Sequence, residues 1–301
     1  MTKILVIGAG AIGSYYSAKL AQVGVEVSLW CRSDYDFIQK NGIKIESYQG
    51  DFHFTPHKIL KNLDEANDDF DYILIATKAL PSIDICGLIK NILQAKTKII
   101  LIQNGIHVEK NIAKNFPNNE IISGLAFIAV SRKSAGVIYH QEYGKLTIGS
   151  YGNKASIAVH FLENLWQKSG VEIIVSDKIL LERWKKLVWN GAFNPLSVIL
   201  GGKNTVEILN NDLAINLAKN IMQEICELAR ADDCELPNDV IEKNIVATQK
   251  MKPYKTSMLL DFEAGRQMEV EAILGNAVKF AQSKSMLIPY LSTIYAILAN
   301  Y

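Results

Sequence analysis

The sequence predicts an α/β domain of the Rossmann type, followed by an all-α domain. Three observations predict it. A GxGxxG motif at residues 8–13 lies between a β-branched run and a helical pattern. Short apolar runs of strand length recur up to about residue 176. Past Ser176 those runs stop and helical spacing takes over, which sets the domains at 1–176 and 177–301. The 301 residues suffice for two domains at roughly 100–200 residues each, and no Pro/Ser/Gly linker, repeat or low-complexity tract intervenes.

Residues 3–7 (KILVI) read as a buried parallel strand. Gly8-Ala9-Gly10-Ala11-Ile12-Gly13 follows, and residues 11–23 are helical, with Ile12, Tyr15, Tyr16, Leu20 and Val23 recurring at three and four. Gly24 ends the helix and residues 25–30 form a second strand. The glycines therefore sit in a βαβ unit of about 30 residues, the context a dinucleotide site requires. Gly8 permits the tight turn, Gly10 the approach of a pyrophosphate, and Gly13 close helix–strand packing; the helix N-terminus offers N–H groups to the phosphates. An NAD enzyme usually carries an Asp or Glu after the second strand. Here the chain reads Cys31-Arg32-Ser33, with no carboxylate before Asp34, so Arg32 favours a 2′-phosphate and NADP(H).

Two more buried strands are expected at 71–77 and 98–103, with Lys78 and Asn104 at their carboxyl ends. Ligands bind beyond those ends in an open parallel sheet, so both residues are candidates for the cofactor crevice. The plainer readings are a surface lysine and an Asn-Gly turn. Further strands are expected at 120–130, 136–140, 145–148 and 171–175, with a helix at 154–169.

Composition narrows the function. With 32 basic and 31 acidic side chains the formal net charge is +1, which argues against a dedicated nucleic-acid binder. No apolar run reaches the roughly 18 residues of a membrane span. Cys31, Cys86, Cys226 and Cys234 show no CxxC spacing, so neither a zinc site nor a disulfide framework is expected, and a cytoplasmic home is. Lys3 and the apolar residues after it faintly resemble the start of a signal peptide, but the glycine motif accounts for the same residues better.

In the helical half, Lys186, Asn190 and Asn194 lie four apart, on one slowly drifting stripe of a helix among Leu187, Val188, Trp189, Phe193 and Leu196. Polar groups in such company need partners, and a ligand with a carboxylate and a hydroxyl would supply them. Pro195 is expected to kink this helix. A helix begins or continues at 256–261 and another opens in 265–275, where Glu269 falls on the more buried side and Glu271 does not.

These residues together resemble the ketopantoate reductase family along the whole chain. The likeness is carried by GAGAIG at 8–13, Arg32, TKA at 77–79, QNG at 103–105, WKKLVWNGAFNPL at 184–196, TSMLLD at 256–261 and GRQMEVEAILG at 265–275. The resemblance implies a Rossmann domain, a helical domain and an active site in the cleft. It implies reduction of 2-dehydropantoate to (R)-pantoate by NADPH, a step toward pantothenate and coenzyme A. By position, Lys186 matches the catalytic lysine. Asn104, Asn190, Asn194 and Ser257 match substrate contacts, with Asn104 also near the nicotinamide. Glu269 matches a glutamate that contacts cofactor and substrate. Arg32 and Lys78 match contacts to the adenosine phosphate end. Val130 falls at a cofactor contact and Asn204 near a further substrate contact, in surroundings that differ from the common pattern. Residues 124–131 depart most from it. In this reading Lys186 stabilises the charge that grows on the ketone oxygen and donates a proton. The partners are a small 2-oxo acid and no nucleic acid, membrane or metal; a homodimer is compatible.

The rival readings are a paralogous reductase of another 2-oxo acid, a non-catalytic NADP sensor, and a 6-phosphogluconate or β-hydroxyacid dehydrogenase. A sensor should have lost Lys186 or Glu269, and both are present. The motif around Lys186 is not that of the dehydrogenases.

Overall fold

The computed structural model describes residues 1–152 and 156–301 and divides into two compact units. The first comprises Met1–Lys78, Asp84–Gln103 and Glu109–Ile179; the second comprises Ala79–Ile83, Asn104–Val108 and Leu180–Tyr301.

The first unit is built on one sheet. Its strands are β1 (Lys3–Ile7), β2 (Glu26–Trp30), β3 (Ile43–Ser47), β4 (Phe52–Phe54), β5 (Lys58–Leu60), β6 (Tyr72–Ile75), β7 (Lys98–Ile102), β8 (Ile121–Ser134), β9 (Val137–Ser150) and β10 (Ile173–Val175). The order is β4-β3-β9-β8-β7-β6-β1-β2-β5, with β10 added beside β9. From β5 to β8 every neighbouring pair is parallel. Parallel strands are covered on both faces, and the apolar runs show it. Ile4 and Val6 enter one core with Tyr15, Tyr16 and Trp166, while Leu5 and Ile7 enter the other with Phe70, Ile89 and Ile112. Tyr72/Leu74 against Ile73/Ile75 repeat the alternation, as do Ile100/Ile102 against Ile99/Leu101. The helices of this unit are α1 (Ala11–Ala21), α2 (Tyr35–Asn41), α3 (Ile85–Ile89), α4 (Lys110–Asn115) and α5 (Ile157–Lys168). Positions 154 and 155 of the predicted helix 154–169 lie outside the described residues; α5 starts after its cap Ser156, whose hydroxyl accepts from the Val159 N–H.

One strand differs from the expectation. The runs 136–140 and 145–148 belong to a single strand, β9, paired antiparallel with β8. Tyr143 takes φ 66° in its middle, and register shifts fall at Phe127/Ile128 and Ala129/Val130. This bulged stretch interrupts the two-residue period, so one strand reads as two.

The second unit is helical: α6 (Ile179–Ile199), α7 (Thr205–Leu209), α8 (Asp212–Ala231), α9 (Val240–Gln249), α10 (Ser257–Glu263), a π-helical turn (Glu271–Gly275), α11 (Asn276–Ser283) and α12 (Pro289–Leu298). Its core gathers Trp184, Leu187, Val188, Phe193 and Leu196 of α6 with Ile221, Met222 and Ile225 of α8 and Ile273, Ala277 and Leu291. Ile106, from one of the two short early segments, lies in this core as well. Helix α6 runs on through Pro195 to Ile199. No described helix is long and apolar enough to cross a membrane.

Candidate active site

The glycine loop of the first unit joins β1 to α1. Gly8 has φ +107°, and a Cβ there would come within 2.7 Å of the Thr77 nitrogen, so only glycine fits. A Cβ on Gly13 would lie 2.0 Å from the Gly8 carbonyl oxygen. Gly10 differs: it is exposed, and nothing stands within 4 Å of where its Cβ would be. Two glycines are thus demanded by packing and the third leaves open space at the N-cap of α1, where first-turn N–H groups lack helical partners. That is the cradle a pyrophosphate requires, and the loop fits a dinucleotide.

Beyond β2, Arg32 is exposed and lies over the Trp30 ring at 5.7 Å. Asp34, the first carboxylate after it, is 4% exposed and engaged by Arg132 and by the Gly136 N–H. Lys78 is half-buried just past β6. Gln103 Nε2 donates to the Thr77 carbonyl at 2.9 Å and ties the ends of β6 and β7 together. Val130 is half-buried in β8, at the second register shift.

Three of the predicted site residues come together in the second unit. Lys186 Nζ donates to Asn104 Oδ1 at 2.9 Å, and Asn104 Nδ2 donates to Glu269 Oε2 at 3.0 Å. The other carboxylate oxygen of Glu269 accepts the Ala79 N–H at 2.9 Å. Three predicted site residues therefore form one chain, lysine to amide to carboxylate. The amide can be read only one way: its oxygen faces the ammonium and its nitrogen faces the carboxylate. Glu269 is 9% exposed, while Glu271 is half-buried elsewhere and paired with Lys279 and the Tyr295 hydroxyl. Burial brings Lys186 down from its ordinary value to about 8; the Arg183 charge lowers it further and the Glu269 charge opposes the fall. A lysine with a lowered pKa, held by an amide and facing a carboxylate, has the chemistry to give up a proton.

The segment carrying Asn104 is fixed to this unit from several sides. Arg183, 1% exposed, donates from Nη1 to the Gly105 carbonyl at 3.0 Å. The Ile106 N–H bonds the Ala272 carbonyl, and Asn276 donates to the Ile106 carbonyl. His107, at φ 59°, reaches Asp232 at 2.7 Å, and Trp184 Nε1 donates to the same carboxylate oxygen. Arg183 and Ala79 escaped the sequence reading. Arg183 precedes Lys186 by three on the same helical face, so it is found by a step of three back from Lys186, not by the stripe's own step of four. Ala79 acts through its backbone, which leaves no side-chain signal.

The remaining candidates fall in three groups. Asn190 and Asn194 are buried on α6, and among the described residues Asn194 Nδ2 is a buried donor with no hydrogen-bond partner. Ser257 is exposed at the first turn of α10. Asn204 caps α7: its Oδ1 accepts the Val206 and Glu207 N–H groups, and Glu207 returns a bond to the Asn204 N–H. That capping box accounts for Asn204 without a ligand. The four cysteines are free thiols.

A doubly covered parallel sheet with a dinucleotide loop, and a helical unit with a half-buried lysine held by an amide, define an oxidoreductase of the pyridine-nucleotide type. Two family models match the chain, "Ketopantoate reductase PanE/ApbA" over residues 4–153 and "Ketopantoate reductase PanE/ApbA C terminal" over 178–301. The chain belongs to the ketopantoate reductase family. It is 33% identical over 303 residues to a 2-dehydropantoate 2-reductase of Nostoc sp., covering 97% of this chain and 93% of that one. The crystal structure of 2-dehydropantoate 2-reductase from Methylococcus capsulatus superposes with a TM-score of 0.93 at 45% identity, covering 99% and 96% of the two chains. The ternary structure of D-mandelate dehydrogenase with NADH and anilino(oxo)acetate shares the fold, with a TM-score of 0.91 at 23% identity and 99% and 97% covered.

Proposed function

We propose that this protein reduces 2-dehydropantoate to (R)-pantoate with NADPH, a step toward pantothenate and coenzyme A. The observation that carries the reading is the chain Lys186–Asn104–Glu269, with the unpartnered Asn194 amide nitrogen on the face of α6 that holds Lys186. The chemistry the cofactor supplies when bound is a hydride to the carbonyl carbon of the 2-oxo acid. Lys186 stabilises the negative charge that grows on the carbonyl oxygen and gives it a proton, so ketone becomes hydroxyl. Asn104 aims the ammonium, and Glu269 fixes which way Asn104 faces. Asn190, Asn194 and Ser257 are neutral donors suited to a carboxylate and a hydroxyl. Asn204, already spent as a cap, is the weakest member of the substrate set.

On the cofactor side, residues 8–13 hold the pyrophosphate, with Arg32 and Lys78 on the adenosine phosphate end. Asn104 and Glu269 serve the nicotinamide side, and Val130 is a backbone contact. The exposed Arg32, and an Asp34 whose charge is paired with Arg132, support NADP(H) over NAD(H).

The test is NADPH oxidation by the purified protein against a panel of 2-oxo acids, including 2-dehydropantoate, a branched-chain 2-oxo acid and phenylglyoxylate. The expected result is the highest kcat/KM for 2-dehydropantoate with NADPH. A higher value for another acid of the panel assigns that substrate instead. No turnover with any of them removes the catalytic reading.

A further inference from the structure

The 2′-phosphate end of the dinucleotide site carries a charge problem that the fold has solved. Asp34 follows Arg32 by two residues, at the N-cap position of α2. It makes no capping bond there. Its oxygens turn instead to β8 and the turn after it: Arg132 Nε donates to Oδ2 at 2.8 Å, Arg132 Nη2 donates to Oδ1, and the Gly136 N–H reaches Oδ2 at 3.3 Å. The Ser33 hydroxyl adds a bond to Oδ1. Burial pushes the Asp34 carboxyl upward, but Arg132, the Gly136 amide and Ser33 outweigh it and hold it below the ordinary carboxylate range. Asp34 is therefore an anion at neutral pH, two residues from the arginine expected to meet a dianionic phosphate. Left alone, it would draw Arg32 to itself and repel the phosphate. Among the described residues no carboxylate is paired with Arg32, which lies over Trp30.

We propose that Arg132 is a positioning residue for cofactor choice: by its two-pronged pairing with Asp34 it cancels that charge and leaves Arg32 available to the 2′-phosphate. This rests on the NADP(H) reading given above. The fork geometry matters, because a guanidinium meets the two carboxylate oxygens with two parallel N–H bonds in one fixed plane, whereas a lysine meets them from a single nitrogen. Arg132 stands 98 residues from Asp34 in sequence, on a different element, so no local motif announces it.

The experiment is an equilibrium titration of NADPH and NADH followed by protein fluorescence, on the wild type, Arg132→Ala, Asp34→Asn and the double variant. Asn at position 34 keeps an acceptor for the Gly136 N–H and removes the charge. In Arg132→Ala the uncovered Asp34 should weaken NADPH about tenfold, the scale of one screened charge pair at a protein surface. NADH, which lacks the phosphate, should hold its affinity within about twofold. Asp34→Asn should keep the preference for NADPH, and the double variant should regain it. A merely structural role for Arg132 would weaken both cofactors together and would not be rescued. If Arg132→Ala retains the wild-type preference, or the double variant stays as weak as Arg132→Ala, the proposal is overturned. A wild type that binds both cofactors equally overturns the NADP(H) reading itself, and this proposal with it.

Discussion

Burial and the Arg183 charge on the same helical face bring the Lys186 ammonium down from its ordinary value to about 8. In the mechanism proposed above, the protonated form is the donor in the reducing direction. Reduction should therefore be full below pH of about 8 and fall as pH rises through that value, read as the alkaline limb of kcat. The Glu269 charge holds the lysine up, so Glu269→Gln should move this limb to lower pH as well as slow turnover. A limb that stays in place would free Lys186 from Glu269. Lys186→Ala should depress kcat by about 10²–10⁴-fold and spare NADPH binding. Lys185, next to Lys186 in sequence and paired with Glu182, is the internal control and should be nearly silent. Asn194 makes a different prediction. A buried donor without a partner costs about 1–3 kcal/mol, so Asn194→Ala should leave the ligand-free protein as stable as before or more so. The same change should raise KM for the 2-oxo acid about 10- to 100-fold. A drop in Tm with unchanged KM would make Asn194 a structural residue.

At the scale of elements, the segment 104–108 decides whether the cluster exists. Gly105 has φ +98°, and a Cβ there would lie 2.3 Å from the Ala272 carbonyl oxygen. Gly105→Ala must push the segment off that wall and carry Asn104 away from Lys186. A loss of about 1–3 kcal/mol is expected, seen as a Tm lower by several degrees, with kcat reduced. Wild-type kcat in this variant would show that Asn104 is not held by its loop. The same scale explains what could be read in advance. Strands β1, β6 and β7 were legible because burial on both faces leaves unbroken Ile/Leu/Val runs. Elements β4 and β5, of three residues each, and α2, of seven, were not: they are too short for a period to emerge. The stripe of Lys186, Asn190 and Asn194 was legible because helical spacing places them together. The bonds that complete the cluster join residues 82, 165 and 190 apart, and pairing at such separations leaves no local trace.

At the scale of the whole molecule, the helical unit is not the C-terminal part of the chain alone. It includes Ala79–Ile83 and Asn104–Val108, so the chain passes between units at 78/79, 83/84, 103/104, 108/109 and 179/180. A fragment of residues 177–301 would lack Asn104, the Ala79 amide and the core residue Ile106. Its thermal unfolding should be broad and well below that of the full chain; a sharp transition at the full-chain Tm would show that those segments are dispensable. This threading also bears on inheritance. Replacing the first half of the gene by recombination would bring in a foreign 104–108 segment, whose Gly105 and Ile106 must meet an Ala272 and an Asn276 they did not evolve beside. Arg32, Asp34 and Arg132 carry no such obligation, since their bonds stay within one unit. Cofactor preference in such a lineage should therefore travel inside the first unit, with Asp34 and Arg132 changing together, while the lysine cluster is passed on as a linked block or not at all.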